Sequence, residues 1–163
     1  MTTKTVGNLT ITTPTDREIV MTRVFDAPKK LVWDAHTKPE IVKKWLGVFN
    51  GMTLPVCEID LRVGGKARYE WRMADGQTMG MSMTFLEIVP LEKIVNTEEF
   101  DDAWYEGKAI GTLTFVEQGG RTTLTSAVLY DSKEIRDAVL ASPMETGVAA
   151  SYDTLAELLA KTS

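Results

Sequence analysis

Cysteine is nearly missing from this chain: Cys57 is the only one in 163 residues. A single thiol makes no intrachain disulfide, and its neighbours offer no C-x-x-C or similar metal-ligand spacing. Cys57 therefore reads as a buried spectator. Histidine is equally scarce, with His36 alone. It has no Ser, Cys or carboxylate at a recognisable triad spacing, so it is expected to be structural. No H-E-x-x-H, P-loop, G-x-G-x-x-G or EF-hand pattern occurs, and no metal site or cofactor is implied. No Lys/Arg cluster of five or more stands against the net charge of −5, which speaks against a nucleic-acid groove. The opening "MTTKTVGNLTITTPTD" has no continuous apolar run, and no window approaches a membrane span. Cytoplasm is the expected location. No repeat, low-complexity tract or Pro/Gly/Ser-rich linker divides the chain.

What is present suits one domain with a real core: 44% of residues are hydrophobic and 25% charged. Residues 1–16 read as a polar, Thr-rich tail, with at most a marginal strand over Leu9–Thr12. Residues 17–163 read as the domain. "REIVMTRVF" is a first strand, rich in β-branched residues. Two short helices follow. Pro28 suits the first turn of one. Thr37-Lys38-Pro39-Glu40 has the form of a capping box for the other, and Gly47 stands where that helix would end. Neither is long enough to be stable alone.

From Met52 to Tyr130 the apolar period is two, over six strands joined by short turns. In "KARYEWRM", Ala67, Tyr69, Trp71 and Met73 share one face. In "TMGMSMTFLEIV", Met79, Met81, Met83 and Phe85 share one face. A short helix over Glu134–Leu140 comes next, then a long one from Pro143 to about Lys161, capped by Ser142-Pro143-Met144-Glu145. Met144, Val148, Ser151, Tyr152, Leu155, Leu158 and Leu159 make its apolar side; Glu145, Thr146, Asp153, Glu157 and Lys161 make its polar side. The order predicts an α+β fold. A curved antiparallel sheet of about seven strands (β-α-α-β6-α) wraps the long C-terminal helix. A lipocalin-like barrel would need eight strands in a meander and no paired helices after the first.

Four stretches carry a resemblance: "RVFDAPKKLVWDAHTKPEIVKKWLG", "CEIDLRVGGKARYEW", "ADGQTMGMSMTFLEIVPLEKIVNTEEF" and "SKEIRDAVLASPMETGVAASYDTLAELLA". They resemble the START-like, or SRPBCC, superfamily, in the branch of the C-terminal domain of the activator of the heat-shock-protein-90 ATPase. The specific elements are Ala27, Pro28, Val32 and Trp33; Asp60, Arg62, Gly64 and Gly65; Glu87, Ile88 and Pro90; and the closing Leu155-Ala156-Glu157-Leu158-Leu159. The resemblance implies a helix-grip fold with a cavity between sheet and long helix. Members bind hydrophobic small molecules, and some relatives cyclise or dehydrate polyketides. The eukaryotic activator has a separate N-terminal domain, which 16 polar residues do not make. Co-chaperone activity is therefore not carried over. His36 departs from the Trp or aliphatic residue often found there.

The candidate ligand-binding residues are Tyr69, Trp71, Met73, Met79, Met81, Met83 and Phe85 on the sheet, with Gly147, Val148, Ser151 and Tyr152 on the helix. Small Gly147 and Ser151 opposite large sheet residues suggest either interdigitation or a void near the helix's N-terminal half. Glu87 shares the parity of Phe85 but reads best as a strand-end group near water or a basic partner. Parity leaves Asn96, Glu98 and Arg23 open. Trp104 and Tyr105 either pack on the rim or form a lid. Non-catalytic binding of a small apolar or aromatic molecule leads these readings. A polyketide cyclase or aromatase is the alternative, and needs polar side chains converging in the cavity. A protein-interaction module, chaperone-related or homodimeric, is a third reading and needs an exposed apolar patch.

Overall fold

Strict alternation of apolar and polar side chains builds most of the molecule, because it gives each strand one face to bury. The computed structural model describes residues 3–101 and 109–162. Along the chain come β1 (Thr3–Val6), β2 (Leu9–Thr12), β3 (Glu18–Phe25), α1 (Lys29–Thr37) and α2 (Pro39–Val42). Then follow β4 (Thr53–Ile59), β5 (Lys66–Arg72), β6 (Thr78–Val89), β7 (Lys93–Phe100), β8 (Ala109–Gln118) and β9 (Arg121–Leu129). The chain closes with α3 (Lys133–Ala141) and α4 (Met144–Thr162). All these strands join one antiparallel sheet, ordered β1-β2-β3-β9-β8-β7-β6-β5-β4. The fold is the expected helix grip, with nine strands among the described residues in place of about seven.

The two extra strands correct the reading of residues 1–16 as a tail. Gly7-Asn8 is a two-residue turn between Val6 and Leu9, and the Thr-rich flanks pair as a hairpin. Thr10 and Thr12 are half-buried, while Leu9 and Ile11 drop into the core at 0% and 2% exposure. The polar composition hid a period of two.

The paired helices lean on the sheet and on α4, as their shortness demands. Trp33 meets Phe115 of β8 edge-on, with ring centres 5.2 Å apart. Trp45, just beyond α2, stacks on Tyr152 of α4 at 5.8 Å and donates its indole N–H to Ala35 O at 2.8 Å. Pro28 and Lys38 serve as the N-caps, without side-chain caps. The capping box expected at Thr37 does not form. Its hydroxyl bonds back to Trp33 O at 2.9 Å, still inside the preceding helix. Gly47 does end the second helical segment in the left-handed region, at φ 69°.

Ser132 caps α3, accepting from Ile135 N at 3.2 Å, and Ser142 Oγ accepts from Met144 N at 3.3 Å at the start of α4. Glu145 departs from the polar side assigned to it. It is buried and pairs with Lys4 of β1 at 2.6 Å, joining the helix start to the added hairpin. At the Gly64-Gly65 bend, Gly64 N donates to Phe85 O and Phe85 N to Gly65 O, so the bend is sealed onto β6. Among the described residues no helix is long and apolar enough to cross a membrane.

Candidate functional site

The concave face of the sheet does not fill completely. A cavity of about 180 Å³ lies over β5 to β9. Its floor follows the ladder: Tyr69 pairs with Met81, Phe85 with Asn96, Asn96 with Gly111, and Leu113 with Ser126. Met83, Ile94, Glu98 and Thr112 complete the floor. Its roof is His36 of α1, Val42 and Trp45–Leu46 of the second helical segment, and Tyr152 of α4. Leu61, 36% exposed, stands at the rim.

Of the expected ligand-binding residues, Tyr69, Met81, Met83, Phe85 and Tyr152 line this cavity. The others do not. Trp71 is buried and gives its indole N–H to Leu46 O at 3.0 Å, closing the space beside the sheet's end. Met79 pairs with Trp71 across the ladder and packs there. Met73 lies past β5, in the turn closed by its own N–H to Gln77 O. Neither Gly147 nor Ser151 lines the cavity. Gly147 faces the Phe49 ring, and Ser151 Oγ accepts from Gly47 N at 3.0 Å. Val148 packs half-buried on the core. The segment after α2 fills the space that small helix residues leave, and pushes the cavity toward the middle of the sheet.

Glu87 points to solvent and pairs with Lys93 at 2.9 Å. A β-bulge between Phe85 and Glu87 reverses the parity that had placed them together. Asp60 and Arg62 form an exposed ion pair at 2.8 Å. Arg23 is buried under α4 and pairs with Asp153 at 2.8 Å, away from the cavity lining. Trp104 and Tyr105 lie outside the described residues. Asn96 and Glu98, whose parity the sequence left open, face the cavity; alternation along β7 and β8 was the signal for Ile94, Gly111 and Leu113, which sequence reasoning passed over.

The polar groups set the chemistry. Glu98 accepts no hydrogen bond from any described residue, and burial alone pushes its carboxyl up to about 7. Its carboxylate occupies a recess over Gly111, where an added Cβ would sit 2.6 Å from Oε2. Tyr69 and Tyr152 lie close enough to feel its charge, and burial raises both phenols. Asn96 donates to Thr97 O at 3.1 Å. His36 Nδ1 contacts Val32 O at 2.7 Å; a carbonyl only accepts, so Nδ1 carries the proton. Nε2 is buried without a partner, beside the Trp45 and Phe115 rings at 4.9 and 5.6 Å. Desolvation lowers the imidazole to about 4, so it is neutral at pH 7. Cys57 is buried, its thiol pushed up to about 11 by desolvation, as fits an inert group. Among the described residues no three His, Cys, Asp or Glu side chains gather as a metal site.

A curved antiparallel sheet gripping a C-terminal helix, with a half-open cavity on its inner face, defines a protein of the SRPBCC, helix-grip type. Within that class, the family model "Activator of Hsp90 ATPase homolog 1-like protein" matches residues 26–160, and the chain belongs to this family. Among solved structures it is similar to a protein from Rhodobacter sphaeroides at 28% identity, TM-score 0.89, covering 94% of this chain and 99% of that one. It is also similar to protein CV1439 from Chromobacterium violaceum, at 30% identity and TM-score 0.71, covering 89% and 98%. Protein Ms6760 from Mycobacterium smegmatis, at 22% identity, TM-score 0.81 and coverage of 94% and 98%, shares the fold. No curated protein matches the chain.

Proposed function

We propose that this protein binds a small apolar or aromatic molecule, about the size of one ring, in the cavity over β5 to β9. The observation that carries the reading is the cavity itself: about 180 Å³, walled chiefly by Val42, Trp45, Met81, Met83, Phe85, Ile94 and Leu113. An apolar cavity of about 150 Å³ is enough to hold benzene, whereas drug-sized ligands need roughly 300 Å³ or more. Long acyl chains and polycyclic polyketides are too large for the space as it stands. Native mass spectrometry of freshly purified protein tests the reading. A retained adduct with the mass of a single-ring compound supports it. Unliganded protein that also takes up no benzene, toluene or phenol at millimolar concentration sinks it.

A second reading is an enzyme using proton transfer. Tyr69, Asn96 and Glu98 converge in the cavity, and a carboxyl near 7 exchanges protons well at neutral pH. Turnover of a bound ligand that is lost in Glu98→Gln, with binding retained, would move the assignment from carrier to enzyme.

A further inference from the structure

We propose that the cavity selects an organic ammonium: a small amine with an apolar body, its charged head held against Glu98 and the surrounding aromatic rings. The proposal rests on the ligand-binding reading above and adds the charge and chemical class of the ligand.

Three independent features support it. The first is charge. Among the described residues no lysine or arginine lines the cavity, and Glu98 is its only carboxylate. Arg23, the buried cation on the same face of the sheet, is already paired with Asp153. His36 is the other candidate counter-charge, and its buried Nε2 and lowered basicity keep it neutral.

The second feature is vacancy. Glu98 is half-buried where it lines the cavity, and no hydrogen bond to its carboxyl comes from the described residues. A half-buried carboxylate that lines a cavity can accept there from a ligand's N–H groups. Gly111 leaves room for the carboxylate where a Cβ would strike it, so the placement is accommodated by the neighbouring strand.

The third is the wall. Trp45, Tyr69, Phe85 and Tyr152 ring the same space. Aromatic faces attract ammonium groups, most strongly where water is excluded. A carboxylate ligand would instead bring a second negative charge beside Glu98, with no lysine or arginine among the described lining residues to offset either.

The binding is linked to protons. Facing Glu98 are Tyr69 from β5, Tyr152 from α4 and Asn96 from its own strand, with His36 of α1 in the same cavity. Both phenols stay neutral because burial raises them, and Asn96 does not titrate. Glu98 is thus the group that changes charge between pH 6 and pH 8. In the empty cavity at pH 6 it is mostly protonated. An incoming ammonium holds it ionised, and the carboxyl proton leaves for solvent.

The test is a four-ligand titration of the whole chain, followed by the methionine methyl signals at pH 6 and pH 8. Toluene, benzyl alcohol, benzylamine and benzoate share one ring and differ in the head group. At pH 8 benzylamine is expected to bind at least tenfold tighter than benzoate. Its affinity is expected to rise about tenfold from pH 6 to pH 8, following the ionised fraction of Glu98. In Glu98→Gln that rise disappears and benzylamine falls to the level of benzyl alcohol, with toluene binding kept. Benzoate matching benzylamine overturns the proposal, as does a benzylamine affinity that ignores pH in the wild-type chain. Failure of all four ligands overturns the ligand-binding reading itself, and this proposal with it. The pH series needs no variant, so the result does not hang on how Glu98→Gln folds.

Discussion

Glu98 and His36 are two half-buried ionisable groups displaced in opposite directions. Glu98 moves from 4.5 to about 7, because ionising it in the cavity forfeits hydration. Below pH 4.5 its carboxyl is protonated in both folded and unfolded chains, and stability is unaffected. As pH rises through 7 the unfolded chain ionises first, and stability of order 3 kcal/mol is lost. Glu98→Gln should therefore gain on the wild type steadily from pH 5 to pH 8, as urea denaturation at several pH values would show. A difference that does not vary with pH contradicts the shift. His36 moves from 6.5 down to about 4, so its contribution is present above 6.5 and is lost as pH falls through 4. The two slopes oppose each other between pH 4.5 and 6.5, where the wild type stays flat with respect to this pair. His36→Phe keeps the ring contacts with Trp45 and Phe115 and removes the acid-side loss. Its stability at pH 4.5 should exceed that of the wild type, measured by the same denaturation. The singular His36 was visible in the sequence. Its neutral, back-bonded state was not, since that depends on which rings surround it.

The elements divide into those written locally and those set by tertiary contact. Strands β5 to β9 follow from alternation, and α4 from its apolar stripe. The hairpin β1–β2 escaped because threonine is polar in composition yet β-branched in conformation. Its value is testable at one residue. Leu9 is fully buried, so Leu9→Ala should cost about 2–5 kcal/mol, whereas Thr10→Ala should stay within about 0.5 kcal/mol. Thermal melts of both variants check this; equal, small effects would return residues 1–16 to the status of a tail. The segment after α2 was harder to foresee. At Gly47 the backbone is left-handed, and an added Cβ would fall 2.5 Å from the Trp71 indole nitrogen, which itself bonds to Leu46 O. Gly47→Ala should destabilise by about 2 kcal/mol. It should also shift the Trp71 indole N–H signal, while Gly76→Ala, which meets nothing within 4 Å, leaves that signal in place.

At the scale of the molecule, the helix-grip architecture was legible because a long amphipathic helix and a sheet with one apolar face leave few ways to pack. The cavity's lining was half legible. Tyr69, Met81, Met83, Phe85 and Tyr152 follow from strand parity and helix periodicity. Its position was not, because the loop carrying Phe49 and Gly47 fills the space beside Gly147 and Ser151. Glu87 stands at its strand end beside the basic Lys93, as the sequence suggested, whereas the parity left open at Glu98 resolves toward the cavity. The central claim is that this space admits a ligand. The most direct test is a titration of the chain, labelled with carbon-13 at its methionine methyl groups, with toluene. Met81 and Met83 should shift with saturation while Met73 and Met79 stay still. Signals that do not move at any toluene concentration, or that move only at Met73 and Met79, would contradict it.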